Sequence, residues 1–202
     1  MPRVTPEHSA ARRAQILDAA RTCFLRDGFH ATSMQDIQGE AQLSAGAIYL
    51  YFKSKQEIVA GIAAEILETV GRAFEPQEGS LPPVGPGELI DRVIDTADQL
   101  NESRAVFSIA VQIWAEAQRD PALHASAITL FGTVQTRVTR VLTGLQQRGM
   151  IDPTVDLPTL TMAIIGLVQG YIVQRSLGLT GDREQYRRGA HALMRSGCGN
   201  LA

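Results

Sequence analysis

Residues 43–55 read Leu-Ser-Ala-Gly-Ala-Ile-Tyr-Leu-Tyr-Phe-Lys-Ser-Lys. Ser44 can cap a helix that starts near Ala45, its hydroxyl accepting from an N–H of the first turn. Ile48 and Phe52 are four apart, so they share a face that points into a small core. Ala45, Ala47, Tyr49 and Leu50 fall on or near the outer side. Small residues at 45–47 let a helix N-terminus approach base edges closely. Tyr49 and Tyr51 offer hydroxyls to phosphate or sugar, and Lys53 and Lys55 offer point charges at the helix exit. A helix that enters a DNA groove, followed by a basic turn that holds the backbone, is one reading. An apolar and basic helix end on an ordinary surface is the other, and this stretch alone does not choose.

The upstream residues decide. Ile16, Leu17, Ala20 and Phe24 recur at helical spacing, which predicts a first helix from about Ser9 to Arg26. Gly28 ends it and Phe29 packs back over the joint. Thr32 or Ser33 then caps a second helix, with Gln35 and Asp36 placed to meet its free N–H groups. Met34, Ile37 and Ala41 line its inner face. A break near Gln42 leads into the helix that Ser44 caps. Three helices, the second and third joined by a tight turn, make a helix-turn-helix with an extra first helix.

The runs Arg13-Ala14-Gln15-Ile16-Leu17-Asp18-Ala19-Ala20, Gly28-Phe29, Ala31-Thr32-Ser33-Met34-Gln35-Asp36-Ile37 and Ser44 to Lys55 resemble the N-terminal domain of TetR/AcrR-type regulators. The resemblance covers roughly residues 10–58. It implies a homodimeric transcriptional regulator, usually a repressor released by a small molecule. It implies that Thr32 caps the second helix and touches phosphate, with Ser33 beside it. Ser44, Ala45 and Ala47 then sit at the reading end of the third helix, and Tyr49 and Lys53 clamp the backbone.

The sequence departs from that pattern. Ala41-Gln42 stands where the family usually has Ala-Gly, so Gln42 must take the turn without glycine's freedom. Ala45 replaces a common Lys, and Ala47 a common Thr or Ser. Direct hydrogen bonding to bases is therefore thin, and thymine methyls, phosphates and DNA shape carry more of the specificity. Gly39 sits near the end of the second helix, where Ala would be more stabilising.

Charge is less telling than the motif. Residues 1–60 hold seven Arg/Lys against six Asp/Glu, and residues 61–202 hold twelve against fifteen. A nearly neutral head precedes an acidic body, with no basic stripe of the kind that coats nucleic acid unspecifically. Binding rests on a few cations: Arg3, Arg12 and Arg13 near the N-terminus, Lys53 and Lys55 at the clamp. Residues 1–14 lack the apolar run of a signal peptide, and the two cysteines exclude a disulfide framework, so the chain reads as cytoplasmic. Cys23 reads as a quiet core residue beside Phe24, and Cys198 has nothing nearby to activate it.

The body reads as helices throughout. Ile58, Ile62, Ile66 and Val70 form one stripe from Gln56 to about Phe74, and four prolines and three glycines make Glu75–Gly87 a loop. Further helices are expected at about Gly87–Asn101, Arg104–Glu116, from Pro121 to Gly149, at Leu157–Leu177 and at Asp182–Ser196. Thr161–Val173 is apolar on nearly every side, yet too short and interrupted to span a bilayer. Such a helix needs partners on both flanks, which predicts a homodimer built on it and on the last helix through Ile165, Gly166, Gln169, Gly170, Val173 and Leu193. No membrane partner is expected.

The expected fold class is therefore all-α: a helix-turn-helix DNA-binding domain at 1–55 and a helical ligand-binding and dimerisation domain at 56–202. An enzyme is not expected. His8, His30, His124 and His191 lack metal-ligand spacing, no phosphate loop is present, and no cofactor or metal is implied. The partners expected are a double-stranded, palindromic DNA operator and a small, mostly hydrophobic effector. Candidate effector residues are Ile66, Phe107, Val111, Trp114, Phe131 and Gln135, with Phe74, Val93, Leu100, Val134 and Gln112 nearby in the same reading. The set is apolar, with no buried cation or paired acids to grip a charged molecule. The alternative is a helical dimeric sensor with little or no sequence-specific DNA binding.

Overall fold

The computed structural model describes residues 5–73, 85–179 and 182–197. Its elements are α1 (Pro6–Asp27), α2 (Met34–Ala41), α3 (Ala45–Tyr51), α4 (Lys55–Ala73), α5 (Pro86–Arg104), α6 (Val106–Ala117), α7 (Pro121–Gln147), α8 (Leu157–Ser176) and α9 (Arg183–Gly197). The fold is all-α. Arg3, Phe74, most of the Glu75–Gly87 loop, the Val70 side chain and Cys198 lie outside the description.

Helix starts follow their caps. Thr5 accepts from His8 N at 3.3 Å, and Ser44 from Ala47 N at 3.3 Å. Asp120 receives Ala122 N and Leu123 N at 2.9 and 3.0 Å, and Asp156 receives Thr159 N at 3.1 Å. α2 has a full capping box: Ser33 accepts from Asp36 N, and the Asp36 carboxylate accepts from Ser33 N at 2.7 Å. Ser33 is thus the cap, and Thr32 is not. Thr32 is 1% exposed and its hydroxyl donates back to Gly28 O at 2.8 Å.

Packing divides the chain into two compact units, residues 1–66 with 104–128, and 67–103 with 129–202. In the first, Ile16, Leu17, Phe24, Ile37, Ile48, Phe52, Ile58 and Ile62 form one core with Ile109, Ile113, Ala117 and Leu123. Hence α6 and the start of α7 pack with the head, although the sequence pattern alone places them in the body. Gly61 permits α4 to come close: a Cβ there would lie 3.0 Å from Phe52 Cε1 and 3.1 Å from Leu17 Cδ2. Arg21, also buried, joins Asp18 at 2.5 Å and Glu65 of α4. Cys23 lies in this core, and burial pushes its thiol up.

In the second unit, α5 contributes Leu89, Ile90, Val93, Ile94 and Ala97, α7 contributes Val138, Leu142 and Leu145, and α8 contributes Ile164 and Tyr171 to the buried set. Each of the Leu, Ile and Val side chains among them stabilises by roughly 1.5–3 kcal/mol when fully buried. α9 is tied to α5 by ions: Arg187 Nε meets Asp91 at 2.9 Å, Arg187 also reaches Asp95 at 3.2 Å, and His191 Nε2 lies 2.9 Å from Asp91. By length and composition α8 is apolar enough to cross a membrane. Its buried residues Thr161, Ile164 and Tyr171 lie on one stripe, while Met162 on the other side is 64% exposed.

Candidate nucleic-acid interface and effector region

The turn before α3 is built by residues other than glycine. Gln42 adopts the left-handed conformation, φ 53° and ψ 40°. Its N–H donates to Gly39 O and that of Leu43 to Gln38 O, both at 3.2 Å, so the carbonyls ending α2 are satisfied. Gln15 of α1 donates to Ala41 O at 2.8 Å and fixes the same corner. α3 then buries Ile48 and leaves Ser44, Ala45 and Gly46 exposed, with Ala47 half-buried. Tyr49 and Leu50 are 46% and 68% exposed.

The residues assigned to DNA from the sequence separate into two sets. Ser33, Ser44, Ala45, Ala47, Tyr49 and Lys53 are at or near the surface. Thr32, Tyr51 and Lys55 turn inward. Tyr51 packs against the head core. Lys55 Nζ donates to Phe29 O at 2.6 Å and Thr32 O at 2.8 Å, and lies 4.2 Å from the centre of the Phe29 ring. Burial pushes this ammonium below the ordinary lysine range, with Glu116 partly opposing. Lys55 thus satisfies two carbonyls of the α1–α2 loop and is not a cation presented at the surface. Lys53 stays exposed, its Nζ on Tyr49 O at 2.5 Å and its N–H on Glu57 at 2.7 Å. Of the other head cations, Arg12 donates to Gln15, Arg13 lies 4.4 Å from the Phe52 ring centre, and Arg26 pairs with Asp27 and Glu40.

Sequence reasoning missed what holds the head from below. Gln112 of α6, expected to face an effector, instead caps the end of α1. Its Oε1 accepts from Phe29 N at 3.0 Å and its Nε2 donates to Phe24 O at 3.4 Å. His30 meets Glu116 at 2.8 Å, and Gln56 donates to Asp120 at 3.1 Å. Helical periodicity marks an inner face without saying which element covers it, so no sequence signal reveals these partners.

The candidate effector residues are distributed over both units. Ile66, Phe107, Val111 and Trp114 belong to the first, where Ile66 packs against the head core and Phe107 is buried. Val93, Leu100, Phe131, Val134 and Gln135 belong to the second, and all but Val93 are half-buried. A buried acid stands outside this apolar set. Asp98 is 4% exposed, accepts from the Tyr171 hydroxyl at 2.7 Å, and lies 3.8 Å from Arg175 Nε. Burial, then the carboxylate, pushes the Tyr171 hydroxyl above the ordinary tyrosine range.

On α8 and α9, Gly166 is exposed with open space above it, Leu193 is exposed, and Ile165, Gln169 and Val173 are half-buried. Gly170 differs. A Cβ there would lie 3.2 Å from the Tyr186 hydroxyl of the same chain, which donates to Leu167 O at 2.5 Å. It seats α9 on α8 within one subunit. A groove of about 640 Å³ runs beside this joint, lined by Leu167, Leu179, Ala190 and Leu193 among others.

Two family models match. Residues 16–62 match bacterial regulatory proteins of the tetR family, and residues 87–198 match the C-terminal domain of BetI-type transcriptional repressors. The chain is 31% identical over 182 residues to the HTH-type transcriptional regulator YfiR of Bacillus subtilis, covering 87% of this chain and 85% of that one. Among solved structures it resembles Salmonella enterica GusR, with TM-score 0.76, 24% identity, and 95% and 98% of the two chains covered. It also resembles FadR from Bacillus subtilis in complex with stearoyl-CoA, with TM-score 0.75, 22% identity, and 91% and 98% covered. Taken with the capped helix-turn-helix, these matches place the chain in the TetR family of DNA-binding helix-turn-helix transcriptional regulators.

Proposed function

We propose that the protein is a cytoplasmic homodimeric repressor that binds a palindromic operator and releases it when a small, mostly apolar molecule binds. Regulators of this family generally bind DNA as dimers, respond to small ligands and are not enzymes. The observation that carries the reading for this chain is the outer face of α3, where Ser44, Ala45, Gly46 and Tyr49 are all exposed.

In this reading α3 lies in the major groove. Ala45 and Ala47 meet thymine methyls, and the Tyr49 hydroxyl donates to a phosphate oxygen. Lys53 leaves Tyr49 O for the same backbone. Thr32, Tyr51 and Lys55 hold the frame from inside. Two heads reading one face of the duplex stand about one helical turn, roughly 34 Å, apart. Subunits meet through the exposed side of α8 and α9, with Gly166, Ile165, Gln169, Val173 and Leu193 at the contact. Gly170 and the Tyr186 joint keep each half of that bundle in shape. Effector and operator weaken each other's binding by the same factor. FadR, with its stearoyl-CoA, supports an apolar effector body by analogy of fold.

The test is a gel shift at fixed salt with the DNA flanking the gene, against scrambled duplex. Lys53→Ala and Tyr49→Phe should weaken binding to both sequences alike, because backbone contacts position without specifying. A variant that lost only the operator preference would refute the assigned roles. A second reading, a dimeric sensor without sequence-specific DNA binding, draws on the small side chains of Ala45, Gly46 and Ala47. It predicts equal affinity for the flanking and scrambled duplexes in the parent protein.

A further inference from the structure

α5 and α8 bring a polar cluster into the interior of the second unit that neither the DNA face nor the subunit contact uses. Tyr171 is wholly buried and spends its hydroxyl on Asp98 Oδ2 at 2.7 Å. The second carboxylate oxygen, Oδ1, is buried without a hydrogen-bond partner. Arg175, one turn beyond Tyr171 on the same side of α8, brings its Nε to 3.8 Å from Oδ1. That is too long for a hydrogen bond, and this Nε is also buried without a partner. An open acceptor and an open donor therefore stand side by side.

Leaving such groups unmade is expensive, most of all for charged ones, and buried polar atoms in folded proteins are nearly always paired. A purely structural ion pair would close the remaining gap. The separation instead suits a small polar group between the two: one oxygen about 2.8 Å from each atom spans it.

We infer that Asp98 and Arg175, with Tyr171 holding the carboxylate in place, form the polar anchor of the effector site, and that the effector is a neutral molecule carrying a hydroxyl or primary amide on an apolar body. This rests on the effector-binding reading proposed above and names the chemistry of its ligand. The ligand oxygen accepts from Arg175 Nε–H, and the ligand O–H or N–H donates to Asp98 Oδ1. Charge favours neutrality. Carboxylate and guanidinium offset each other, so an ammonium or carboxylate head would bring an uncompensated charge into a buried place. The rest of the α5 interior is apolar, with Val93, Ile94 and Ala97 all buried. Arg175 and Tyr171 orient and anchor, and no bond is made or broken.

The experiment is calorimetric titration of the full chain with four probes sharing one alkyl tail: octanamide, methyl octanoate, octanoate and octylammonium. Octanamide should bind at least about tenfold more tightly than any of the other three. Asp98→Asn turns the open acceptor into a donor, so the amide's advantage over the acceptor-only ester should vanish or invert. Arg175→Met removes the donor and should also erase the advantage, and it serves where Asp98→Asn does not fold. Far-UV circular dichroism melting identifies the folded variants. Equal binding of amide and ester by the parent protein means that the pair serves only a structural water, and overturns the proposal. A charged probe binding best, no probe binding, or a preference that survives both substitutions also overturns it.

Operator affinity separates this from the inducer reading. If octanamide binds in an Asp98-dependent way and operator affinity does not change, the anchor stands and release by effector falls. If a compound releases the operator and binds the parent and both variants equally, release stands and the anchor falls.

Discussion

Replacing Gln112 by alanine tests how α6 supports the reading head. The substitution removes two hydrogen bonds of unequal weight. Phe29 N–H, at a buried residue, gives up its acceptor at 3.0 Å, and an orphaned buried donor costs about 1–3 kcal/mol. Phe24 O loses a longer bond of 3.4 Å but keeps Gly28 N at 3.0 Å, so its loss adds only about 0.5 kcal/mol. The sum is about 1.5–3.5 kcal/mol. For a chain of this length each kcal/mol moves the melting midpoint by about 2–4 °C, giving a fall of about 3–14 °C. Gln112→Glu keeps an acceptor for Phe29 N–H but sets a second carboxylate oxygen against Phe24 O, so it should recover only part of the loss. Urea unfolding gives the free energy, and amide hydrogen exchange at Phe29 reports the orphaned donor. A change below about 0.5 kcal/mol, within the range of ordinary surface substitutions, with the Phe29 amide still protected, would refute the clamp.

Gln42→Gly should stabilise the protein by about 0.5–1 kcal/mol in urea unfolding. Relief of the left-handed backbone, about 1–2 kcal/mol, outweighs the extra chain entropy of glycine; a loss of stability would contradict this account of the turn. Gly61→Ala should cost about 1–3 kcal/mol, because its Cβ would press on Phe52, Leu17 and Arg13, whereas Gly39→Ala, with open space above it, should gain about 0.5–1 kcal/mol. Similar effects at both sites would show that the α1–α4 approach is not tight. Gly166→Glu should yield monomers in sedimentation while Gly170→Leu perturbs the melting of each subunit; a dimeric Gly166→Glu protein would remove this side of α8 from the contact.

Acid sensitivity follows from the caps. Ser33 holds Asp36, the α7 backbone at Leu123 holds Asp120, and Thr159 holds Asp156, each below the ordinary aspartate value. A depressed folded pKa gives stability that is complete above the unfolded value and lost as pH falls through the folded one, so the loss begins below about pH 4. Asp36→Asn should flatten that part of the stability profile, and an unchanged profile would argue against the α2 box.

The helices were legible because their ends are chemically marked. Ser33, Ser44 and Pro121 each announce a first turn, and Gly28 and Gly149 each follow a last one. The spacing of Ile16, Leu17, Ala20 and Phe24 was enough to orient α1. What periodicity does not carry is the identity of the covering partner. The apolar stripe of α6 fits either unit equally well, and so it read as body while packing with the head. Lys55 reads as a surface cation because lysine usually is one, and only the bare carbonyls of Phe29 and Thr32 draw it in. Asp98 sits among helical positions where an acid reads as solvated, and its partner Tyr171 is 73 residues away.

The head is discontinuous along the chain. Its core includes Ile109, Ile113, Ala117 and Leu123, so a nascent chain that has just delivered Ile62 cannot yet complete it. At about 5–20 residues per second the ribosome needs several seconds more to supply α6. During that interval Phe52, Ile58 and Ile62 lack part of their cover and are open to chaperones. The same discontinuity sets a rule for grafting. A chimera joined at residue 55 carries the reading helix but leaves its support behind, whereas one that transplants residues 104–128 along with 1–66 moves the head as it is built.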